Sequence, residues 1–150
     1  MLTIGDTAPN FKGRLENGEL TSLNDFKGRK LILYFYPKDL TPGCSMQAHN
    51  LSTHIDDLDK RGFEVLGVSA DSEKRHCTFK ERIGIKFHLL SDPEMEVIKA
   101  YECWGKKKFM GKEYIGITRR TFIINEEGII ERIIENVKTR THYDQIVSDI

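Results

Sequence analysis

One cysteine stands where this chain could do covalent chemistry. In Tyr34-Phe-Tyr-Pro-Lys-Asp-Leu-Thr-Pro-Gly-Cys44 an apolar run ends at Pro37, a turn-forming loop follows, and Cys44 falls where a helix begins. Ala48, Leu51, Ile55 and Leu58 are spaced three, four and three residues apart and form one apolar stripe. Cys44 lies four residues before Ala48 and shares that inward face at the first turn. The first backbone N–H groups of a helix have no partner inside it, and the dipole is positive there. That end favours the thiolate, the form of sulfur that attacks. Thr41, three residues before Cys44, could donate its hydroxyl to the sulfur or position a substrate oxygen. Pro42 could shield the sulfur and fix the loop, and Pro37 stiffens the approach. The competing reading takes Pro, Thr and Gly as ordinary loop residues and Cys44 as a buried structural thiol. Composition alone favours that second reading slightly.

The elements that would position this loop can be read in chain order. Thr7–Phe11 is an extended lead-in, and residues 11–23 form a small hairpin turning at Asn17-Gly18. Ser22–Phe26 makes one helical turn closed by Gly28. Leu31–Tyr36 is nearly all apolar, as expected of a strand covered on both faces. The helix carrying Cys44 runs on to Lys60-Arg61-Gly62, where cations and then glycine end it. Phe63–Ser69 is the next strand, so the unit is βαβ and the two strands run parallel. Asp71 or Ser72 caps a helix through Ile83, ended by Gly84. Phe87–Leu90 is a short strand, and Pro93 opens a short helix to about Tyr101. Trp104–Gly116, rich in lysine and glycine, reads as an exposed loop whose lysines serve solubility. Arg119–Ile124 and Ile129–Ile134 are strands joined by Asn125–Gly128. A last helix starts near Thr139 or Thr141, with Tyr143, Ile146, Val147 and Ile150 on one face. The expected fold is a single α/β domain over residues 1–150: a thioredoxin-like central mixed sheet flanked by helices, with an N-terminal hairpin.

Composition bounds the function. The chain has 150 residues, 23 basic and 23 acidic, enough for one domain whose core needs no disulfide staples. Balanced charge argues against nucleic acid or a membrane surface as the main partner. No apolar run approaches the ~18 residues a membrane span needs. The start, Met1-Leu-Thr-Ile-Gly-Asp, lacks the basic and apolar regions of a signal peptide. Three cysteines without repeated spacing make no disulfide framework. A reducing cytoplasm is the expected setting. There is no C-x-x-C and no H-x₃-H pair, which disfavours both a metal site and dithiol exchange.

The spelling of these motifs resembles the peroxiredoxins. Pro37-x-x-x-Thr41-x-x-Cys44 is that family's active-site pattern, and "FYPKDLTPGC" is similar to its Q/BCP subfamily, the bacterioferritin comigratory proteins. "LTIGDTAPNF", "GVSADSEKRH", "WGKKKFMGKEYIGITRRTFIINEEGII" and "VKTRTH" are similar to further blocks of the family, in family order. The resemblance implies a thiol-dependent peroxidase that reduces hydrogen peroxide and organic hydroperoxides. Cys44 would be the peroxidatic cysteine, passing through a sulfenic acid. Thr41 would hydrogen-bond the reacting oxygens. Pro37, Pro42 and Gly43, with the Cys44 backbone, would shape the pocket. The family's arginine, in R-x-T-F, aligns with Arg119, where a guanidinium stabilises the sulfur anion. Arg120, on the opposite side of an extended strand, is then a solvated surface charge. Gln47, where the family has Glu or Gln, takes a supporting role. Thioredoxin or another small thiol would recycle the enzyme, with no metal, haem or flavin and as a monomer.

The pattern breaks at the second thiol. Many Q/BCP members place a resolving cysteine five residues after the first; here that residue is His49. Five residues turn a helix about 500°, which leaves His49 about 140° from Cys44 and exposed. Some Q/BCP proteins place their resolving cysteine on the third helix, at a position that aligns nearer to Lys80; the resemblance therefore makes Cys77, one turn earlier on the helix capped at Asp71 or Ser72 and about 160° from the inward Phe79, the first candidate resolver. An incidental surface thiol is its alternative. Cys103 reads as packed beside Trp104 and ranks behind; failing both, an external thiol must resolve the sulfenic acid. The missing second cysteine also motivates a different function, a binding or chaperone-like protein that keeps the fold without an efficient redox cycle.

Overall fold

The computed structural model describes residues 1–148. Its strands are β1 (Lys12–Leu15), β2 (Leu20–Ser22), β3 (Lys30–Phe35), β4 (Phe63–Ser69), β5 (His88–Ser91), β6 (Trp104–Phe109), β7 (Lys112–Ile117), β8 (Arg120–Ile124) and β9 (Ile130–Ile134). Its helices are α1 (Pro42–Thr53), α2 (Ile55–Lys60), α3 (Glu73–Ile83), α4 (Glu96–Ala100) and α5 (His142–Val147), with a 3₁₀ turn at Leu23–Phe26. Seven strands form one mixed sheet in the order β2-β1-β5-β4-β3-β8-β9. The apolar run is its centre: β3 pairs parallel with β4 and antiparallel with β8. No helix among the described residues is long and apolar enough to cross a membrane.

Because side chains alternate along a strand, β3 feeds two cores. Leu31, Leu33 and Phe35 face one, with Phe122 and Tyr101; Ile32, Tyr34 and Tyr36 face the other, with Ala48, Leu51 and Phe79. Helices α1, α2, α3 and α5 cover the second face, while α4 and the N-terminal segment cover the first. Cys44 belongs to the second core and Cys103 to the first. The sheet therefore stands between those two sulfurs.

Three expectations change. The helix after Cys44 is not continuous to Lys60: at His54 (φ −107°, ψ 16°) α1 ends and α2 begins. The His54 ring hydrogen-bonds the Asn50 carbonyl at 2.9 Å and stacks on Tyr143, 3.9 Å between centroids. Helix α4 starts at Glu96 rather than Pro93, because Met95 takes a left-handed φ of 59° and the Asp92 carboxylate accepts from Ile98 N–H at 2.8 Å. Trp104–Gly116 is not a loop but the β6–β7 hairpin. It turns at Met110-Gly111, both with positive φ, the twist-matched two-residue geometry. Its side chains are mostly exposed, so no buried face marks the strand period in the sequence. The last helix carries Tyr143, Ile146 and Val147 as expected; Ile150 lies outside the described residues.

The N-terminal hairpin is tied to the rest of the molecule by a buried carboxylate. Glu16 accepts from His88 Nδ1 at 2.9 Å and from Leu89 N–H at 3.0 Å, with Lys80 Nζ 3.5 Å away. Burial opposes its ionisation, but these partners outweigh it and carry its pKa to about 2. A depressed folded-state value adds stability above the unfolded value and loses it as pH falls through the folded one. Glu16→Gln should therefore cost about 2 kcal/mol at pH 7. In urea titrations the gap to wild type should narrow as pH drops from about 4.5 towards 2; a gap that widens in acid contradicts this account.

Candidate active site

The loop Pro37–Thr41 carries the chain from β3 into α1, and Asp39 anchors it. Its carboxylate, fully buried, accepts from the Tyr36 hydroxyl at 2.5 Å and lies 2.6 Å from His76 Nδ1. Its N–H donates to Asp71 at 2.8 Å, and its carbonyl accepts from Arg75 at 3.1 Å. The other nitrogen of His76 donates to the Leu90 carbonyl at 3.0 Å. Donor atoms of Asp39, Asp71 and His76 all lie within 4.8 Å of one another, but each is already engaged in these bonds. These ties hold Leu40 at a left-handed φ of 67°, a conformation that is costly for a non-glycine residue. Asp39 and His76 are residues the sequence reading missed; an acid in a proline-bounded loop carries no sign of its distant histidine.

Thr41 is the N-cap of α1, Pro42 its first residue and Cys44 its third. The first intrahelical bond runs from Ser45 N–H to the Thr41 carbonyl, at 2.9 Å. The N–H groups of Gly43 and Cys44 precede it and have no acceptor inside the helix. Cys44 is 2% exposed. Pro37 and Pro42 are exposed beside the loop. The Thr41 hydroxyl does not donate to the sulfur; it donates to the Lys38 carbonyl at 2.8 Å. Its lone pairs then remain as acceptors.

Arg119 reaches Cys44 from just before β8, with Nη2 3.2 Å from Sγ. A Cβ at Gly43 would stand 3.4 Å from the same nitrogen, an ordinary van der Waals contact, so the guanidinium packs directly beside Gly43. Nη1 donates to Gln47 Oε1. The Gln47 amide continues to His142 Nδ1 at 3.1 Å, and His142 Nε2 meets Thr121 Oγ1 at 2.9 Å. Burial, with the charge of Arg119, pushes the His142 pKa down to about 3, so the ring is neutral. Gln47 therefore links Arg119 to His142, a residue absent from the sequence-based set. Lys107 is another. It folds back from the hairpin to donate to the Ile117 carbonyl at 2.9 Å. Its pKa is lowered by burial and by Arg119, against the opposing pull of Cys44.

Arg120 is not a solvated charge. It turns to the opposite side, donating to the Glu102 carbonyl at 2.8 Å and pairing with Glu135 at 3.4 Å. His49 is exposed, as its helical angle predicts. All three thiols are free. Cys77 is half-buried and donates to the Glu16 carbonyl at 2.9 Å. Cys103 is fully buried, and burial pushes its thiol up to about 12.

A sulfur in the first turn of a helix with a cation against it is an arrangement suited to attack on an electrophile whose leaving group becomes anionic. Comparison with known proteins agrees. The model of the AhpC/TSA family matches residues 4–133. Peroxiredoxin Bcp of Escherichia coli is 42% identical over 147 residues, covering 98% of this chain and 94% of that protein. A cysteine-to-serine variant of PrxQ from Xylella fastidiosa superposes with a TM-score of 0.92 at 32% identity, over 99% of this chain and 95% of that one. The Xanthomonas campestris bacterioferritin comigratory protein, whose structures concern its alkyl peroxide reduction activity, gives 0.86 at 34% identity over 93% and 88%. The thioredoxin-like sheet expected from the sequence is the fold of these proteins.

Arg119→Met removes the cation and leaves Gln47 Oε1 without its donor. The second-order rate of peroxide consumption should fall about a hundredfold, equivalent to about 2.7 kcal/mol, with the thermal melting curve little changed. A rate within threefold of wild type in stopped-flow measurements would remove Arg119 from the site.

Proposed function

The chain belongs to the AhpC/TSA family and is a thiol peroxidase of the Bcp and peroxiredoxin Q kind, and on that premise we propose that Cys44 is its peroxidatic sulfur. The observation that carries the assignment is the 3.2 Å contact between Arg119 and Sγ at the start of α1. The substrate is a peroxide, hydrogen peroxide or an organic hydroperoxide, the latter by analogy with the Xanthomonas relative.

The Cys44 thiolate attacks the terminal oxygen of R–O–OH. An S–O bond forms, the O–O bond breaks with both electrons leaving on RO⁻, and a proton converts RO⁻ to the alcohol or water. Sulfur is oxidised by two electrons to the sulfenic acid. Arg119 holds negative charge on sulfur and then on the departing oxygen. The N–H groups of Gly43 and Cys44, without acceptors inside the helix, add positive potential at that end. Thr41, its own proton committed to Lys38, accepts the peroxide O–H and so aims the O–O bond. Pro37 and Pro42 flank the mouth. The intact Cys44–Arg119–Gln47 arrangement weighs against a protein that merely binds.

Among the other thiols, Cys77 is the resolver. It sits on α3, which packs on the same face of the sheet as Cys44, whereas Cys103 lies on the other face. The Cys77 thiol donates to the Glu16 carbonyl, so forming the bond, which needs Cα atoms within about 7 Å, takes that hydrogen bond away. A disulfide then forms with loss of water, and thioredoxin or a similar thiol in a reducing cytoplasm returns it to two thiols. A monomer suffices for this cycle.

Cys44→Ser should abolish peroxide consumption with the fold retained, in stopped-flow assays beside circular dichroism; unchanged turnover would end the assignment. Cys77→Ser should leave the first oxidation intact and slow thioredoxin-coupled recycling at least about tenfold. Peptide mapping without reductant after one equivalent of peroxide should show a Cys44–Cys77 disulfide in the wild type. Recycling at the wild-type rate in Cys77→Ser would assign resolution to an outside thiol.

A further inference from the structure

We propose that His142, carried by the C-terminal helix α5, is a positioning residue for the peroxidase reaction, fixing the Gln47 amide so that Arg119 is held on Cys44. This inference rests on the assignment of Cys44 and Arg119 above. A guanidinium has only donors, so the oxygen end of the Gln47 amide must face it. The two ends of a primary amide have nearly the same shape, and the surroundings must decide which faces Arg119. His142 decides it. Its Nδ1 lies 3.1 Å from Gln47 Nε2 and must be an acceptor there. The ring proton is therefore on Nε2, where it donates to Thr121 Oγ1 at 2.9 Å. Gln47, His142 and Thr121 are all fully buried, so no water competes for these roles, and an inverted amide would set donor against donor at a cost of kilocalories.

The relay is anchored at both ends. Thr121 is fixed in β8 opposite Tyr34 of β3. The Tyr34 ring meets the His142 ring edge-on, 5.9 Å between centroids and 76° between planes. Helix α5 is held against α1 and β9: Tyr143 N–H donates to Asn50 Oδ1 at 2.8 Å, and Arg132 donates to the carbonyls of Ile146 and Gln145 at 2.6 and 2.9 Å. Burial keeps the imidazole neutral, with a pKa of about 3, so the acceptor at Nδ1 persists across the working pH range.

Two variants of similar size separate positioning from packing. His142→Asn places an amide oxygen where Nδ1 stands and can still accept from Gln47. His142→Gln places its amide nearer Nε2, keeps Thr121 occupied and leaves Gln47 without its acceptor. His142→Gln should lower the second-order rate with hydrogen peroxide about tenfold or more, and His142→Asn should recover most of that loss. In a Gln47→Glu background the carboxylate offers an oxygen to Arg119 in either orientation, so adding His142→Gln should cost less than about threefold. Equal rates for the two single variants, or the same loss in the Gln47→Glu background, would overturn the proposal. If His142→Asn does not fold, the loss in His142→Gln with and without Gln47→Glu decides between positioning and packing; if His142→Gln does not fold, His142→Leu, which also removes the acceptor, takes its place in both backgrounds. Activity surviving in Cys44→Ser would instead remove the underlying assignment, whatever the His142 variants do.

Discussion

The structure depends on the contact between a sulfur almost sealed from water and the guanidinium of Arg119. Cys44 is 2% exposed, and a buried charge without a partner is expensive. Two sources of positive potential make the site tenable: the free N–H groups at the start of α1 and the guanidinium of Arg119 at 3.2 Å. They come from chain segments 75 residues apart. The central sheet is the device that joins them, because β3 delivers α1 and the adjacent antiparallel β8 delivers Arg119.

The guanidinium must itself be held, and the loop beneath it must not relax. A chain of buried hydrogen bonds from Thr121 through His142 and Gln47 meets the first need. The Asp39 knot meets the second: a carboxylate satisfied by Tyr36 and His76 offsets the strain at Leu40. Both networks lie on the helix-covered face of the sheet, and both bring in residues with no nucleophilic or acid–base step of their own. The site is thus a small reactive surface on a larger polar scaffold, every member of which has to be satisfied because water cannot substitute for a missing partner.

The same sheet restricts what can follow oxidation. It separates Cys44 from Cys103 and leaves Cys77 turned towards the N-terminal hairpin. A disulfide between Cys44 and Cys77 would take the Cys77 thiol off the Glu16 carbonyl. The short α1, ended at His54, and the independently capped α3 are segments of a size that can unfold locally while the sheet stays intact.

Local pattern was enough to place most elements and to put Cys44 in the first turn of a helix. The apolar run of β3, the Asp71-or-Ser72 cap of α3, which is Ser72, and its Gly84 stop are short-range signals that the fold carries, and the stripe after Cys44 is kept across two helices rather than one. Alternation along an extended strand likewise separated Arg119 from Arg120, although the destination of Arg120 at Glu102 was not legible. The β6–β7 hairpin escaped notice because an exposed strand buries no face and leaves no apolar period. The break at His54 depends on a ring stacking on Tyr143, 89 positions later, and could not be read from the helix alone. Thr41, Asp39, His76, Gln47 and His142 share that property. Their residue types permit several partners, and the partner is fixed only when the folded chain brings a complementary atom to about 3 Å in a place without water. Sequence singled out the sulfur at the start of α1; tertiary structure decided what stands against it, because hydrogen-bond identity is a matter of distance and burial rather than of order along the chain.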